Sequence, residues 1–197
     1  MAYVIDGDKC DAKITWLPVS GSLKTGELVE LIQLVEEDDK LSREALALKD
    51  IFNDIIEEGL TYPQLGYHDE SRFKSYYLSH AAFALRLANS GKVIGGFYIK
   101  PNFPGRCSHI CNAGFIVDMA WRGKGAGRFM AEQYKLLAPE LGYRASMFNL
   151  VFVSNQGSIH LWESLGFKKI GVVPQAGNLK GIGYQDALQF YFSFVKE

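Results

Sequence analysis

Apolar residues recur along this chain with two periods, near 3.6 in some stretches and 2 in others, and the changes of period mark out its elements. Ala12 to Val19 reads as an opening strand. Lys24 to Lys40 and Leu41 to Glu58 carry apolar residues at helical spacing, and Gly59 is a stop for the second. Thr61-Tyr62-Pro63-Gln64 is a turn and Glu70 to Leu78 a short helix. Extended segments then take over. Ala81 to Leu87 and Lys92 to Ile99 flank Asn89-Ser90-Gly91, a hairpin turn. Pro101 to Gly105 is a loop, and His109 to Met119 a further strand. A helical run, Arg128 to Leu137, precedes a strand from Ala145 to Val153. Ser154 or Asn155 can cap a short helix with Ile159, Trp162 and Leu165 on one face and Gly166 at its end. Strands Lys168 to Val173 and Gln185 to Phe194 close the chain. An antiparallel start joined to a parallel strand–helix–strand centre predicts an α/β fold, a mixed sheet covered by helices. No repeat, low-complexity tract or linker divides residues 1–197, which predicts a single domain.

The richest local signal is Arg122-Gly123-Lys124-Gly125-Ala126-Gly127, between the run Ala113 to Met119 and the helix that follows. Glycines at a strand-to-helix turn let backbone amides approach a ligand, and the helix N-terminus adds partial positive charge. That combination is a phosphate cradle, with a plain glycine-rich turn as the competing reading. A Walker loop is excluded because no hydroxyl residue follows Lys124. A dinucleotide fingerprint is excluded because Gly125-Ala126-Gly127-Arg128-Phe129-Met130 lacks the third glycine and no suitable acid follows. What remains is Arg-x-x-Gly-x-Gly, read as Arg122, Gly125 and Gly127, and this resembles the acetyl-CoA pyrophosphate loop of the GNAT superfamily of N-acetyltransferases. A second segment, Asn155-Gln-Gly-Ser158-Ile-His-Leu161-Trp162-Glu163-Ser-Leu-Gly166-Phe167, is similar to another motif of that superfamily and lies a helix and a strand downstream.

The resemblance implies a GNAT fold in which the strands on either side of the cradle helix splay apart and hold the pantetheine arm of acetyl-CoA. Phe115 to Met119, with Val117 at its middle, would offer the backbone edge; Arg122, Gly123, Lys124, Gly125, Ala126, Gly127 and Arg128 would hold the pyrophosphate. Asn155 is implied as a further cofactor contact. The implied reaction is direct attack of a neutral amine on the thioester, through an oxyanion that needs nearby donors. Many relatives carry a tyrosine where this chain has Trp162, and an indole cannot protonate a thiolate. Tyr184 and Tyr191 are substitutes only if the fold brings them near.

Polar residues inside apolar strands mark the other half of a site. Asn149 stands mid-strand among Phe148, Leu150 and Phe152, and a buried amide must find partners. Asn112 opens the strand before the cradle. A structural tie is the competing reading for Asn149, and a plain N-cap for Asn155. Here the resemblance narrows: Phe97 to Asn102, Arg106 to His109, Cys111 to Phe115 and Phe148 to Gln156, with Thr61 to Leu65, are similar to the fungal acetyltransferases of L-azetidine-2-carboxylate, a proline analogue. That family implies Asn112 and Phe115 as substrate contacts and Asn149 and Asn155 as residues serving the reacting groups. Asparagine cannot act as a base, so Asp118 or His109 is a candidate.

Composition narrows the alternatives. With 48% hydrophobic residues and a net charge of −1, the chain reads as an ordinary globular protein with no nucleic-acid signature. No apolar stretch approaches membrane length, and Met1-Ala-Tyr-Val-Ile-Asp does not open like a leader, so no membrane partner is expected. Three cysteines, Cys10, Cys107 and Cys111, leave one unpaired and favour a reducing compartment. The cytoplasm is expected, with nucleus or organelle open. Cys107, His109 and Cys111 would share one face of a strand, but no fourth ligand stands at recognisable spacing, so packing is preferred and no metal is expected. His160 is expected to be exposed. A polyamine acceptor is disfavoured because Glu36, Glu37, Asp38 and Asp39 form one solvated run rather than a funnel. A CoA-binding module without turnover and a protein acceptor stay open, and the resemblance is compatible with a homodimer.

Overall fold

The computed structural model describes residues 14–35 and 40–195. Among them the strands are β1 (Val19–Ser22), β2 (Leu28–Leu34), β3 (Ala81–Leu87), β4 (Val93–Pro101), β5 (Ile110–Val117), β6 (Ala145–Phe152), β7 (Lys168–Leu179) and β8 (Gly183–Ser193). The helices are α1 (Arg43–Glu58), α2 (Glu70–Tyr77), α3 (Ala126–Glu140) and α4 (Gln156–Ser164). One sheet runs in the order β1-β2-β3-β4-β5-β6-β8-β7, antiparallel throughout except for the pair β5–β6. This is the mixed α/β arrangement expected from the sequence.

Local chemistry accounts for the helix ends. Ser42 Oγ accepts from the Ala45 amide at 3.2 Å, and Gly59 closes α1 at φ 70°. Asp69 caps α2 through the Arg72 amide at 2.8 Å. The two faces of the sheet then receive different helices. Phe97 and Ile99 of β4 point to the side packed by Met130 and Tyr134 of α3 and Trp162 of α4. Tyr98, between them in sequence, points to the side packed by Leu48 and Phe52 of α1 and Phe73 and Tyr77 of α2. No helix among the described residues is long and apolar enough to cross a membrane.

The expected helix from Lys24 to Lys40 is not formed. Leu23 and Glu27 close a turn through Gly26 at φ 96°, and Leu28–Leu34 runs back as β2. Its sequence also fits a period of two, with Val29 and Leu31 fully buried. Pairing with β1 and β3 supplies the ladder bonds that settle the choice. Arg86 of β3 fastens the result, bonding Glu30 of β2 at 3.1 Å and Glu44 of α1 at 2.9 Å. The acidic run 36–39 and Cys10 lie outside the described residues. Of the expected strand from Ala12 to Val19, residues 12–13 lie outside the described residues, residues 14–17 turn, Pro18 has no N–H to give a ladder, and β1 starts at Val19. The final hairpin is longer than expected, and Pro174 sits in β7 because that strand is the sheet's edge.

What positions the site is the brevity of the β5–β6 pairing. Only Ile110 with Ala145 and Cys111 with Ser146 are in register, and beyond them the strands part. Tyr134 of α3 pins the parting point, donating to Ser146 Oγ at 2.6 Å with Cys111 Sγ at 3.1 Å, all buried. Burial pushes the Cys111 thiol up to about 12, so it stays protonated. Cys107 instead belongs to a 3-10 turn, Gly105–Cys107, so the expected one-sided row Cys107, His109 and Cys111 does not form.

Candidate active site

The splay opens a cleft of about 420 Å³. Its walls are β5 from Asn112 to Phe115, β6 from Phe148 to Phe152, the 61–64 loop, Tyr76 and Tyr98, and Asn155, Ser158 and Trp162 near the start of α4. Asn112, Phe115, Asn149 and Asn155 are thus brought to one cavity. They are not equivalent there. Asn112 shares a face of β5 with Gly114 and Ile116, toward the α1 side. Phe115 faces the opposite way, stacked on Phe97 at 4.9 Å and edge-on to Trp162 at 5.0 Å. Its ring is therefore already covered by the protein on the α3 side.

Asn149 does not stand in a regular strand. β6 is irregular against β8 between Phe148 and Val151, and this bulge turns the asparagine into the cleft. There it meets Asn102, and the two amides exchange bonds: Asn102 Nδ2 donates to Asn149 Oδ1 at 2.9 Å, and Asn149 Nδ2 to Asn102 Oδ1 at 2.6 Å. Each amide keeps one further N–H and one lone pair, and of the two it is Asn149 that lines the cleft. Asn155 caps α4, its Oδ1 accepting from the Ser158 amide at 3.1 Å, which leaves its Nδ2 to donate.

Where β5 ends, the glycine loop turns into α3. Gly123 and Gly125 have φ of 74° and 101°, and Gly125 is the N-cap with no side chain bonded to the first helical amides. A Cβ on Gly123 would meet open space, so the loop presents bare backbone to solvent there. Arg122 is committed elsewhere: its guanidinium makes two bonds to the Glu58 carboxylate, at 2.7 and 2.8 Å, and one to Val117 O at 3.4 Å. That pairing holds the Glu58 carboxyl below the usual range. Arg128 similarly spans Glu132 and Ser164, both at 3.0 Å, and ties α3 to α4. Ala126 is buried, Gly127 comes close to Leu161, and Lys124 lies 4.5 Å over the Trp121 ring. The two arginines thus hold the loop's shape, and its amides and Lys124 are the groups left to face an anion. Backbone without Cβ, an uncapped helix N-terminus and a β5 edge with no strand beyond Cys111 together suit a pyrophosphate joined to an extended amide-containing arm.

The other sequence candidates fall outside the cleft. Asp118 caps the 3-10 turn Met119–Trp121 through the Ala120 amide at 2.8 Å, at the far end of β5. His109 is exposed in the approach to β5. Tyr184 is exposed near the β7–β8 turn, and Tyr191 sits between Met147 and Lys168 in the sheet.

A group of phenols missed in the sequence occupies the α1 side. Tyr76 and Tyr98 share a bond at 3.2 Å, Tyr77 donates to Gly114 O at 3.3 Å, and Tyr62 to Phe115 O at 3.5 Å. Burial raises all four phenols, so they stay neutral and act as donors. The signal for part of this group was present: Tyr98, Lys100 and Asn102 recur every second residue in an apolar strand, which places all three on one face.

The loop over these phenols carries a pH dependence. His68 is 2% exposed, neither ring nitrogen has a hydrogen-bond partner among the described residues, and the ring packs edge-on to Phe52 at 5.2 Å. Its backbone is held by two bonds to Asn53, at 2.7 and 2.9 Å. Burial, helped by the Arg72 charge, lowers the imidazole below its ordinary 6.5. The folded state then binds fewer protons than the unfolded one, so this contribution is full above 6.5 and is lost as the pH falls through the lowered value. Melting temperature is expected to drop between about pH 7.5 and about pH 5, and His68→Phe to reduce that drop. An unchanged drop in the variant would assign it to other groups.

The comparisons with known proteins agree with this geometry. Residues 46–167 match the sequence model of the acetyltransferase (GNAT) family. N-acetyltransferase aca1 of Schizosaccharomyces pombe is 52% identical over 103 residues, which are 52% of this chain and 49% of that protein. The chain therefore spans about half the length of that relative. Among solved structures, a GCN5-related N-acetyltransferase from Kribbella flavida superposes with a TM-score of 0.75 at 28% identity, covering 84% of this chain and 97% of the other. A phosphinothricin acetyltransferase from Sinorhizobium meliloti, solved in complex with acetyl-CoA, shares the fold: TM-score 0.67, 19% identity, 79% of this chain and 86% of the other.

Proposed function

The chain belongs to the acetyltransferase (GNAT) family, and from that premise we propose that it transfers acetyl from acetyl-CoA to the amine of a small amino or imino acid of the azetidine-2-carboxylate or proline type. The observation that carries this reading is the cleft at the β5–β6 splay, with Asn112 and Asn149 on its walls, Asn102 holding Asn149 from behind, and the glycine loop beyond the end of β5. Acetyl-CoA supplies an activated thioester carbonyl. Amides of Gly123 to Gly127 hold the pyrophosphate, with Lys124 adding charge, and the edge of β5 around Val117 orders the arm. Asn149, fixed by Asn102, accepts from the acceptor amine and aims its lone pair. The free Nδ2 of Asn155 donates toward the carbonyl oxygen, where negative charge develops. Asn112 donates to the acceptor's polar end.

A second reading, a module that binds CoA without turnover, is favoured by Trp162. Its indole is buried against Phe148 at 4.4 Å and offers no acid at the position where relatives carry a phenol. Thiol release from acetyl-CoA, measured with L-azetidine-2-carboxylate, proline and spermidine in turn, separates the two. Release with the cyclic imino acids, lost in Asn112→Ala, supports the transferase. Release with spermidine alone overturns the acceptor class, and acetyl-CoA binding with no release for any acceptor overturns the transferase.

A further inference from the structure

Lys100 is a buried ammonium in an otherwise neutral cluster. It is 7% exposed, in β4, and its register partner across the sheet is Asn112. Tyr98, Lys100 and Asn102 share the face of the sheet that carries Asn112 and Gly114. Its Nζ lies 4.2 Å from the ring centre of Tyr76 and 4.3 Å from that of Tyr98, both rings being walls of the cleft. It donates one bond, to Tyr76 O at 3.4 Å. No carboxylate among the described residues lies within ion-pair distance of it.

A charge removed from water without a counter-charge is costly, and ring faces and one carbonyl offset only part of that cost. Burial accordingly lowers this amine to about 8, still high enough to leave it mostly charged at neutral pH. The groups beside it, Asn102, Asn112, Tyr76 and Tyr98, are uncharged, and the cleft wall that Tyr76 and Tyr98 form against it carries no acid among the described residues. The unmet demand is for an anion, delivered next to a row of amide donors.

We propose that Lys100 receives the carboxylate of the acceptor and so selects amino or imino acids over amines that lack one. This rests on the acetyl-transfer reading above. Lys100 and Asn112 take the two carboxylate oxygens from neighbouring strands, and the acceptor amine then points along the cleft toward Asn149. A polyamine is rejected by the same charge that admits a zwitterion.

The test compares L-azetidine-2-carboxylate with azetidine, which is the same ring without the carboxylate. In the unaltered protein the acid is preferred in kcat/KM, and Lys100→Met lowers that preference about 10- to 100-fold, the span of one hydrogen-bonded charge pair. Lys100→Arg, which keeps the charge, restores part of the preference. Both variants are required to retain the melting temperature and acetyl-CoA affinity, which separates loss of a contact from loss of the fold. A preference unchanged in Lys100→Met, or lost equally in Lys100→Arg, overturns the proposal while leaving acetyl transfer standing. Calorimetry of L-azetidine-2-carboxylate with CoA present covers the case of no turnover. Binding that weakens in Lys100→Met then upholds the carboxylate site and sinks only the transferase; no binding sinks both.

Discussion

Valine in place of Gly125 is expected to abolish acetyl-CoA binding. Gly125 caps α3 at φ 101°, a conformation that side chains with a Cβ adopt only under strain, and β-branched ones least of all. A Cβ there would lie 3.2 Å from the backbone nitrogen of Lys24, in the β1–β2 turn, so backbone rather than a flexible side-chain tip must yield. Strain of about 1–3 kcal/mol is relieved only by rotating the loop, and rotation turns its amides away from a common point. Affinity for acetyl-CoA falls at least about 100-fold, a change read by calorimetry beside the melting temperature. Gly123→Ala is the internal control. Its φ of 74° costs about 1–2 kcal/mol, but its Cβ meets no protein atom within 4 Å, so its melting temperature falls less than that of Gly125→Val. Acetyl-CoA affinity retained in Gly125→Val would show that the loop is not the pyrophosphate site.

The second large effect belongs to the asparagine pair. Asn102 is 3% exposed and both bonded partners of its side-chain amide are atoms of Asn149. Asn149→Ala therefore removes the group proposed to meet the acceptor and also leaves a buried amide unpaired, at about 1–3 kcal/mol of stability. Asn102→Ala leaves Asn149 present but unaimed. Each single variant is expected to lower kcat about 100-fold or more, the scale of a lost oriented contact. The double variant should be little worse than either, because the two act as one unit. Additive losses in this double-mutant cycle would mean that the residues work separately.

The parts of the fold legible in the sequence were those fixed by neighbours along the chain. Asn155 caps a helix with its own side chain, and Gly59 and Gly125 take up positive φ where helices stop or start. Such interactions reach three or four residues and survive any change elsewhere. The glycine loop was legible for the same reason. Lys24 to Lys40 was not, because Leu28–Leu34 satisfies both periods and the choice depends on hydrogen bonds from β3, more than 45 positions away.

The site divides along the same line. From the sequence alone came the residue types that acetyl transfer calls for: a glycine loop before a helix, an N-cap asparagine and asparagines within apolar strands. The tertiary structure decided their partners. Only folding pairs Asn149 with Asn102, binds Arg122 to Glu58 of α1, stacks Phe115 on Phe97 and sets Lys100 between two tyrosine rings with no acid among the described residues beside it. Those contacts join residues up to 64 positions apart. Sequence carries the period and the propensity of each segment, whereas a contact between distant side chains exists only once the sheet order and the β5–β6 splay have brought them together.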